Sequence, residues 1–174
     1  MRAAGFTLVE LLASMSVLML LAAMAVPQVL AGLDRSRAQA AARFLAGRMT
    51  MARAEAVAGA ATVALRFGDG HHSFAVYVDG NGNGVRTRDI ERGVDRLRER
   101  PADVAALFPG VVIASVGFGT SGLLSFTPDG TATSGTLAVR GRDGSQFGVR
   151  VYGVTGRTRV LRYNARTGTF EEGF

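Results

Sequence analysis

The chain has 174 residues, a net charge of +6 and an apolar fraction of 48%, which fits one modest domain with an appendage rather than two domains. It contains no cysteine, so disulfide and thiolate chemistry are excluded. All 20 of its basic residues are arginine; the planar guanidinium grips carboxylate or phosphate in two places, so the surface invites an anionic partner without naming it.

The first element is apolar. Phe6 to Val26 covers 21 residues interrupted only by the polar Thr7, Glu10, Ser14 and Ser16. As a helix it spans about 30 Å, the thickness of a bilayer core. A secretory signal peptide puts positive charge first, then a shorter apolar stretch, then a small-residue cleavage site. Here the apolar run follows only Met1-Arg2-Ala3-Ala4-Gly5, and it contains a carboxylate. A charge at membrane depth costs about 2.5–3.5 kcal/mol on insertion scales and needs a partner. Cutting the chain after Gly5 exposes an α-amino group on Phe6, and in an assembly that amine pairs with Glu10 of a neighbouring subunit.

Gly5-Phe6-Thr7-Leu8-Val9-Glu10-Leu11-Leu12 resembles the processing site of type IV pilins and type II secretion pseudopilins, the class III signal peptide. The resemblance implies that a prepilin peptidase of the inner membrane cleaves between Gly5 and Phe6. It also implies N-methylation of Phe6 and an assembly role for Glu10.

Pro27 interrupts the apolar run and is read as a helix kink, not a stop. The stretch that follows is rich in Ala, Leu, Met and Arg, all good helix formers, and the helix is expected to end near Gly59. Leu33, Ala40, Phe44, Ala52 and Val57 are expected to pack on a globular head. Arg35, Arg37, Arg43, Arg48 and Arg53 then form mostly a solvated face.

After Gly59 the apolar period changes. Residues 61–69 and 71–80 read as a hairpin. Further strands are expected at Asp95–Arg100, Val111–Val116, Leu123–Thr127, Gly135–Arg140, Gln146–Tyr152 and Arg157–Tyr163. A short helix is expected at Ala102–Leu107. Glycines punctuate these runs as they do in antiparallel sandwiches. The fold class is α+β: a long N-terminal helix followed by an antiparallel, sandwich-like, pilin-like head.

Gly122 to Val139 and Gly153 to Val160 are similar to the C-terminal pattern of the GspH/FimT family of type IV pilin-like proteins. In that pattern a Phe-x-Pro-x-Gly turn (here Phe126 to Gly130) precedes a strand, and Gly-Arg-x-Arg (Gly156 to Arg159) comes later. Where several members carry a cysteine soon after that motif, this chain has Leu161 and Arg162.

Strand alternation puts Arg157 and Arg159 on one face, about 7 Å apart, a spacing that suits phosphates along a nucleic-acid strand. The resemblance implies a DNA-binding alternative with Arg157 and Arg159 as phosphate contacts. Arg162 and Arg166 are further candidates, with Arg162 on the opposite face unless a bulge intervenes. Aromatic residues for stacking are few, so such binding is backbone-dominated. The competing reading is a polar strand face paired with Glu171 and Glu172, or one that contacts another pilin.

Asp79, Asn81 and Asn83, followed by Gly84, match the first half of a calcium loop, but the twelfth position is Ile90, which favours a glycine-rich hairpin loop over a metal site. Gly117-Phe118-Gly119-Thr120-Ser121-Gly122 is followed by a strand, so it lacks the helix N-terminus that a pyrophosphate needs. His71 and His72 read as loop residues without a second ligand pair. No nucleophile–base set and no cofactor site is evident, so the chain is read as the substrate of an enzyme and not as one.

The expected organisation is a leader over residues 1–5, a membrane and filament-core helix over 6–33, an amphipathic continuation over 34–59 and a β-rich head over 60–174. The expected function is that of a pseudopilin or minor pilin, a structural subunit of a type II secretion pseudopilus or a type IV pilus. Its expected partners are other pilins, prepilin peptidase and the inner membrane, with the head in the periplasm. DNA uptake in natural transformation, with DNA as a partner, is the alternative.

Overall fold

The computed structural model describes residues 7–68, 73–119 and 121–172. The chain divides into two compact units, residues 1–33 and 34–174. Helix α1, Leu8–Gly59, supplies all the described helix of the first unit and the opening of the second.

Thr7 caps α1: its hydroxyl accepts from the Glu10 N–H at 3.3 Å. The spacing Thr-x-x-Glu is that of a capping box. The helix continues through Pro27 and ends at Gly59, as expected. Ala60 then takes the left-handed backbone, φ 48°, a conformation that closes many helices but is costly for a residue with a β-carbon.

Within the second unit α1 buries Ala38, Ala41, Ala42, Leu45, Met49, Ala52 and Ala56. The expected stripe was turned by about one residue. Ala52 is in it and Phe44 packs at its side, but Leu33 and Val57 stay about half exposed and Ala40 is exposed. The physical reason is size: small alanines let the strands approach the helix closely, whereas the largest side chains drew the expected stripe to the wrong meridian. Two of the five arginines also leave the solvated face. Arg48 pairs with Glu99, and Arg53 reaches the Gly130 carbonyl at 3.1 Å.

The remaining elements are β1 (Val63–Phe67), β2 (Ser73–Val78), α2 (Thr87–Glu91), β3 (Arg96–Asp103), α3 (Val104–Leu107), β4 (Val112–Phe118), β5 (Leu123–Phe126), β6 (Gly135–Arg140), β7 (Gln146–Tyr152), β8 (Arg157–Asn164) and β9 (Thr169–Glu171). They form a four-stranded sheet, β3-β2-β1-β5, and a five-stranded sheet, β4-β6-β7-β8-β9. Every pairing is antiparallel. The α+β architecture is the one the sequence implied. Two elements were not anticipated: α2, inside the glycine-rich loop, and the three-residue β9.

One core joins the helix to both sheets. It takes alternate residues from each strand: Val63, Leu65 and Phe67 from β1, Leu137 and Val139 from β6, Phe147, Val149 and Val151 from β7. That alternation is the period of a half-buried strand. On the far face of the four-stranded sheet, Ala64 and Leu123 are covered by Val85, with Tyr77 and Ile90 beside them. The loop after β2 therefore folds back over that sheet.

Candidate functional site

In the first unit every described residue, 7 to 33, is exposed. Leu8 is 76% exposed and Leu20 67%. The helix is long and apolar enough to cross a membrane. Its hydroxyls are satisfied from within: Ser14 Oγ donates to the Glu10 carbonyl at 2.7 Å and Ser16 Oγ to the Leu12 carbonyl at 2.8 Å. Such back-bonding is what a hydrocarbon environment demands of a polar side chain. Glu10 differs. It stands in the first turn, where the helix dipole favours a carboxylate, yet among the described residues no side chain meets its carboxylate. Gly5 and Phe6, the expected cleavage and methylation positions, lie outside the described residues, as do His71 and His72.

In the second unit the two stretches singled out in the sequence come together on α1. The Phe126-to-Gly130 stretch makes a tight turn, with the Gly130 N–H donating to the Thr127 carbonyl at 2.9 Å and Thr127 N–H to the Thr131 carbonyl at 3.0 Å. The Asp129 carboxylate accepts from the Thr127 hydroxyl and from the Thr131 N–H at 3.1 Å. Those donors, the Thr127 hydroxyl foremost, hold its pKa below the ordinary carboxyl range. Gly156, which opens Gly-Arg-x-Arg, has φ 60°. A β-carbon there would stand 2.2 Å from the Gly130 carbonyl oxygen and 2.7 Å from Arg53 Nε. Gly156 is thus where turn, helix and β8 close on each other, a structural demand on the motif that sequence spacing alone does not reveal.

The arginines of β8 divide as alternation requires. Arg157 pairs with Tyr152, Arg159 with Arg150 and Arg162 with Phe147, with no bulge between them. Phe147 is in the core, so Arg162 is on the inward-facing side of β8 while Arg157 and Arg159 share the outer one. Arg166 sits in the β8–β9 turn, its N–H donating to Asn164 Oδ1 at 3.0 Å. The four candidates therefore do not form one face. Instead Arg150 and Arg140 join Arg157 and Arg159 on the outer side of the five-stranded sheet, with Arg150 Nε on Thr136 Oγ1 at 3.2 Å. Like charges directly opposite one another, as Arg150 and Arg159 are, weaken a sheet. Glu172 lies 3.5 Å from Arg159, while Glu171 is held by Asn164 and Thr167.

Asp79 and Asn81 face their own backbone, Asn81 Oδ1 accepting from the Asn83 N–H at 3.2 Å. Asp79 Oδ1 accepts from the Asn81 and Gly82 N–H groups at 3.0 and 2.9 Å, and its Oδ2 from Gly84 N–H at 2.7 Å. Burial works to raise the Asp79 pKa, but the N–H groups of Asn81, Gly84, Gly82 and Asn83 together bring it below its ordinary value. Asn83 donates to Asp89 Oδ2 at 3.2 Å. Asp95 closes the loop, accepting from the Gly80 and Arg86 N–H groups at 3.2 and 2.9 Å. Among the described residues no group of three or more His, Cys, Asp or Glu side chains is placed to hold a metal.

Comparison with known proteins places this arrangement. The family profile of the type II transport protein GspH matches residues 41–156, more than half of the chain. The profile of the prokaryotic N-terminal methylation motif matches residues 1–26. Among solved structures, the minor pseudopilin EpsH from the type II secretion system of Vibrio cholerae aligns with a TM-score of 0.54 at 14% identity, over 72% of this chain and 97% of that one. A second crystal structure of EpsH gives 0.53 at 13%, over 74% and 95%. The type IV minor pilin FimU of Pseudomonas aeruginosa gives 0.49 at 20%, over 72% and 89%. A search of curated proteins finds no match. The chain belongs to the family of the type II transport protein GspH, and it carries the prokaryotic N-terminal methylation motif at its start.

Proposed function

We propose that this chain is a membrane-anchored subunit of a pilus-like filament, either a type II secretion pseudopilus or a type IV pilus. A prepilin peptidase removes residues 1–5 and methylates Phe6. Residues 6–33 hold the subunit in the inner membrane and then in the filament core, residues 34–59 continue that helix onto the head, and residues 60–174 stand in the periplasm. Pro27 is the point where the helix bends.

One observation carries this reading. In an apolar helix whose serine hydroxyls are bonded to its own carbonyls, Glu10 is the one charged side chain between residues 7 and 33 and has no partner among the described residues. The amine of a neighbouring Phe6 supplies one, and only in an assembly. The chain then acts as a structural component and is the substrate of the peptidase.

Intact mass measured with and without prepilin peptidase tests the processing. The expected product begins at a methylated Phe6, and a mature chain beginning at Met1 overturns it. Glu10→Gln keeps the shape and removes the charge. It is expected to be cleaved normally but to enter filaments about tenfold less well, because the loss of a buried ion pair leaves the amine without its partner. Equal incorporation of the variant excludes the proposed pairing.

The DNA-uptake alternative finds no support in the comparisons. Of the arginines named for it, Arg162 and Arg166 stand apart from the face that Arg157 and Arg159 share with Arg140 and Arg150.

A further inference from the structure

An unpaired sheet edge is a row of free N–H and C=O groups, and proteins blunt such edges with charge, proline or brevity. Three of the four edges here follow that rule. β3 reads Arg-Leu-Arg-Glu-Arg-Pro-Ala-Asp and its pairing with β2 is irregular. β9 has three residues, and β5 has four.

β4 is the least protected edge. It borders the five-stranded sheet, is seven residues long, and reads Val-Ile-Ala-Ser-Val-Gly-Phe without charge or proline; its one irregularity is a register shift against β6 between Ile113 and Ser115. Its only strand partner among the described residues is β6. Ala114, Ser115 and Gly117 are exposed.

Charge says what the edge takes. Arg140 lies opposite Val112, at the start of β4. The Arg142 side chain lies over Gly110, its Nε 3.5 Å from where a β-carbon would stand. Both arginines are exposed, and among the described residues neither makes an ion pair. Before Asp34 the only charged residues are Arg2 and Glu10, so residues 34–174 carry the whole net charge of +6. A second copy would bring the same positive charge to the edge, whereas an acidic chain is attracted to it.

We propose that the free edge of β4 takes up an extended strand from an acidic protein partner, with carboxylates at the end of that strand meeting Arg140 and Arg142. Main-chain hydrogen bonds hold the strand and the arginines fix which end lies at Val112. None of these residues enters the N-terminal processing or the Glu10 pairing, so this inference and the filament reading stand or fall separately.

The test uses the full chain in detergent micelles and a short synthetic peptide of alternating threonine and valine ending in two glutamates. Amide hydrogen exchange is followed residue by residue. The peptide is expected to slow exchange within 112–118, and Arg142→Glu is expected to weaken its binding about tenfold. A peptide ending in two lysines should bind the parent poorly and the Arg142→Glu chain better. Unchanged exchange in β6 and β7 of the variant confirms that it is folded. The proposal is overturned if amides 112–118 show no slowing. It is equally overturned if the lysine peptide slows the parent as well, or if slowing without peptide grows with protein concentration, which would make a second copy the occupant.

Discussion

The two halves of α1 are one continuous helix built for two different surroundings. From Leu8 to Leu33 its large apolar side chains all stand exposed, and the carboxylate of Glu10 has no partner in the described chain. From Asp34 to Gly59 it buries a stripe of mostly alanine, and Arg48 and Arg53 reach groups of the head. Among the described residues the first half buries none of its side chains; the second buries its stripe against the strands. Helical propensity does not distinguish them, since the first half is rich in Leu, Ala and Met and the second in Ala and Arg, all good helix formers. What differs is whether a complementary surface is folded against them.

That contrast is broken most severely in the second half. Leu45 is fully buried between the helix and the sheets. Leu45→Ala removes its packing and leaves a cavity, and is expected to cost about 2–5 kcal/mol of head stability. Urea unfolding of the full chain in detergent, followed by circular dichroism, measures it. Leu20→Ala removes the same atoms from the exposed half and is expected to leave the head transition unchanged. An equal loss at both positions would erase the distinction between the halves.

Gly156→Ala probes the point where helix, turn and β8 meet. The added β-carbon meets the Gly130 carbonyl and Arg53, on a left-handed backbone. About 1–3 kcal/mol is expected, visible as faster hydrogen exchange in β8 and in the Thr127–Thr131 turn. Gly47→Ala is the control in the same unit, because a β-carbon there meets nothing within 4 Å. It should be neutral or stabilising by up to about 1 kcal/mol, as an alanine inside a helix normally is.

The strands from β4 to β8 were legible within a few residues because alternation and glycine spacing both mark them. The apolar anchor was legible because twenty-odd residues of one character leave little choice. The buried stripe was not, since alanines at 38, 41, 42, 52 and 56 give a weak periodic signal beside Leu33 and Val57. Nor was α2, five residues held in place by Asp89 and Asp95 rather than by their own propensity. The separation of Arg162 from Arg157 and Arg159 followed from strand alternation. The convergence of Gly130, Gly156 and Arg53 did not, because contacts between residues so far apart in the chain leave no local pattern.

The loop after β2 offers the mildest test of self-completion. Asp79 is held ionised by backbone N–H groups, which bring its pKa below the ordinary 3.8 although burial opposes this. A folded pKa lower than the unfolded one means that the native state binds its proton less readily. The stabilisation is therefore fully present above the unfolded value and fades as pH falls through the folded one, below 3.8. Asp79→Asn keeps one acceptor and loses the charge, so about 1 kcal/mol of stability should disappear near neutral pH. As pH falls below 3.8 and through the folded pKa, the parent should converge on the variant, since only then do both carry a neutral side chain in the native state. Paired urea titrations at neutral and acidic pH, taken as the difference between the two proteins, isolate this carboxylate from Asp129 and Glu171, which shift in the same direction. A difference that persisted unchanged into acid would mean that Asp79 acts through shape and not through charge, and that the loop is completed by its turns alone.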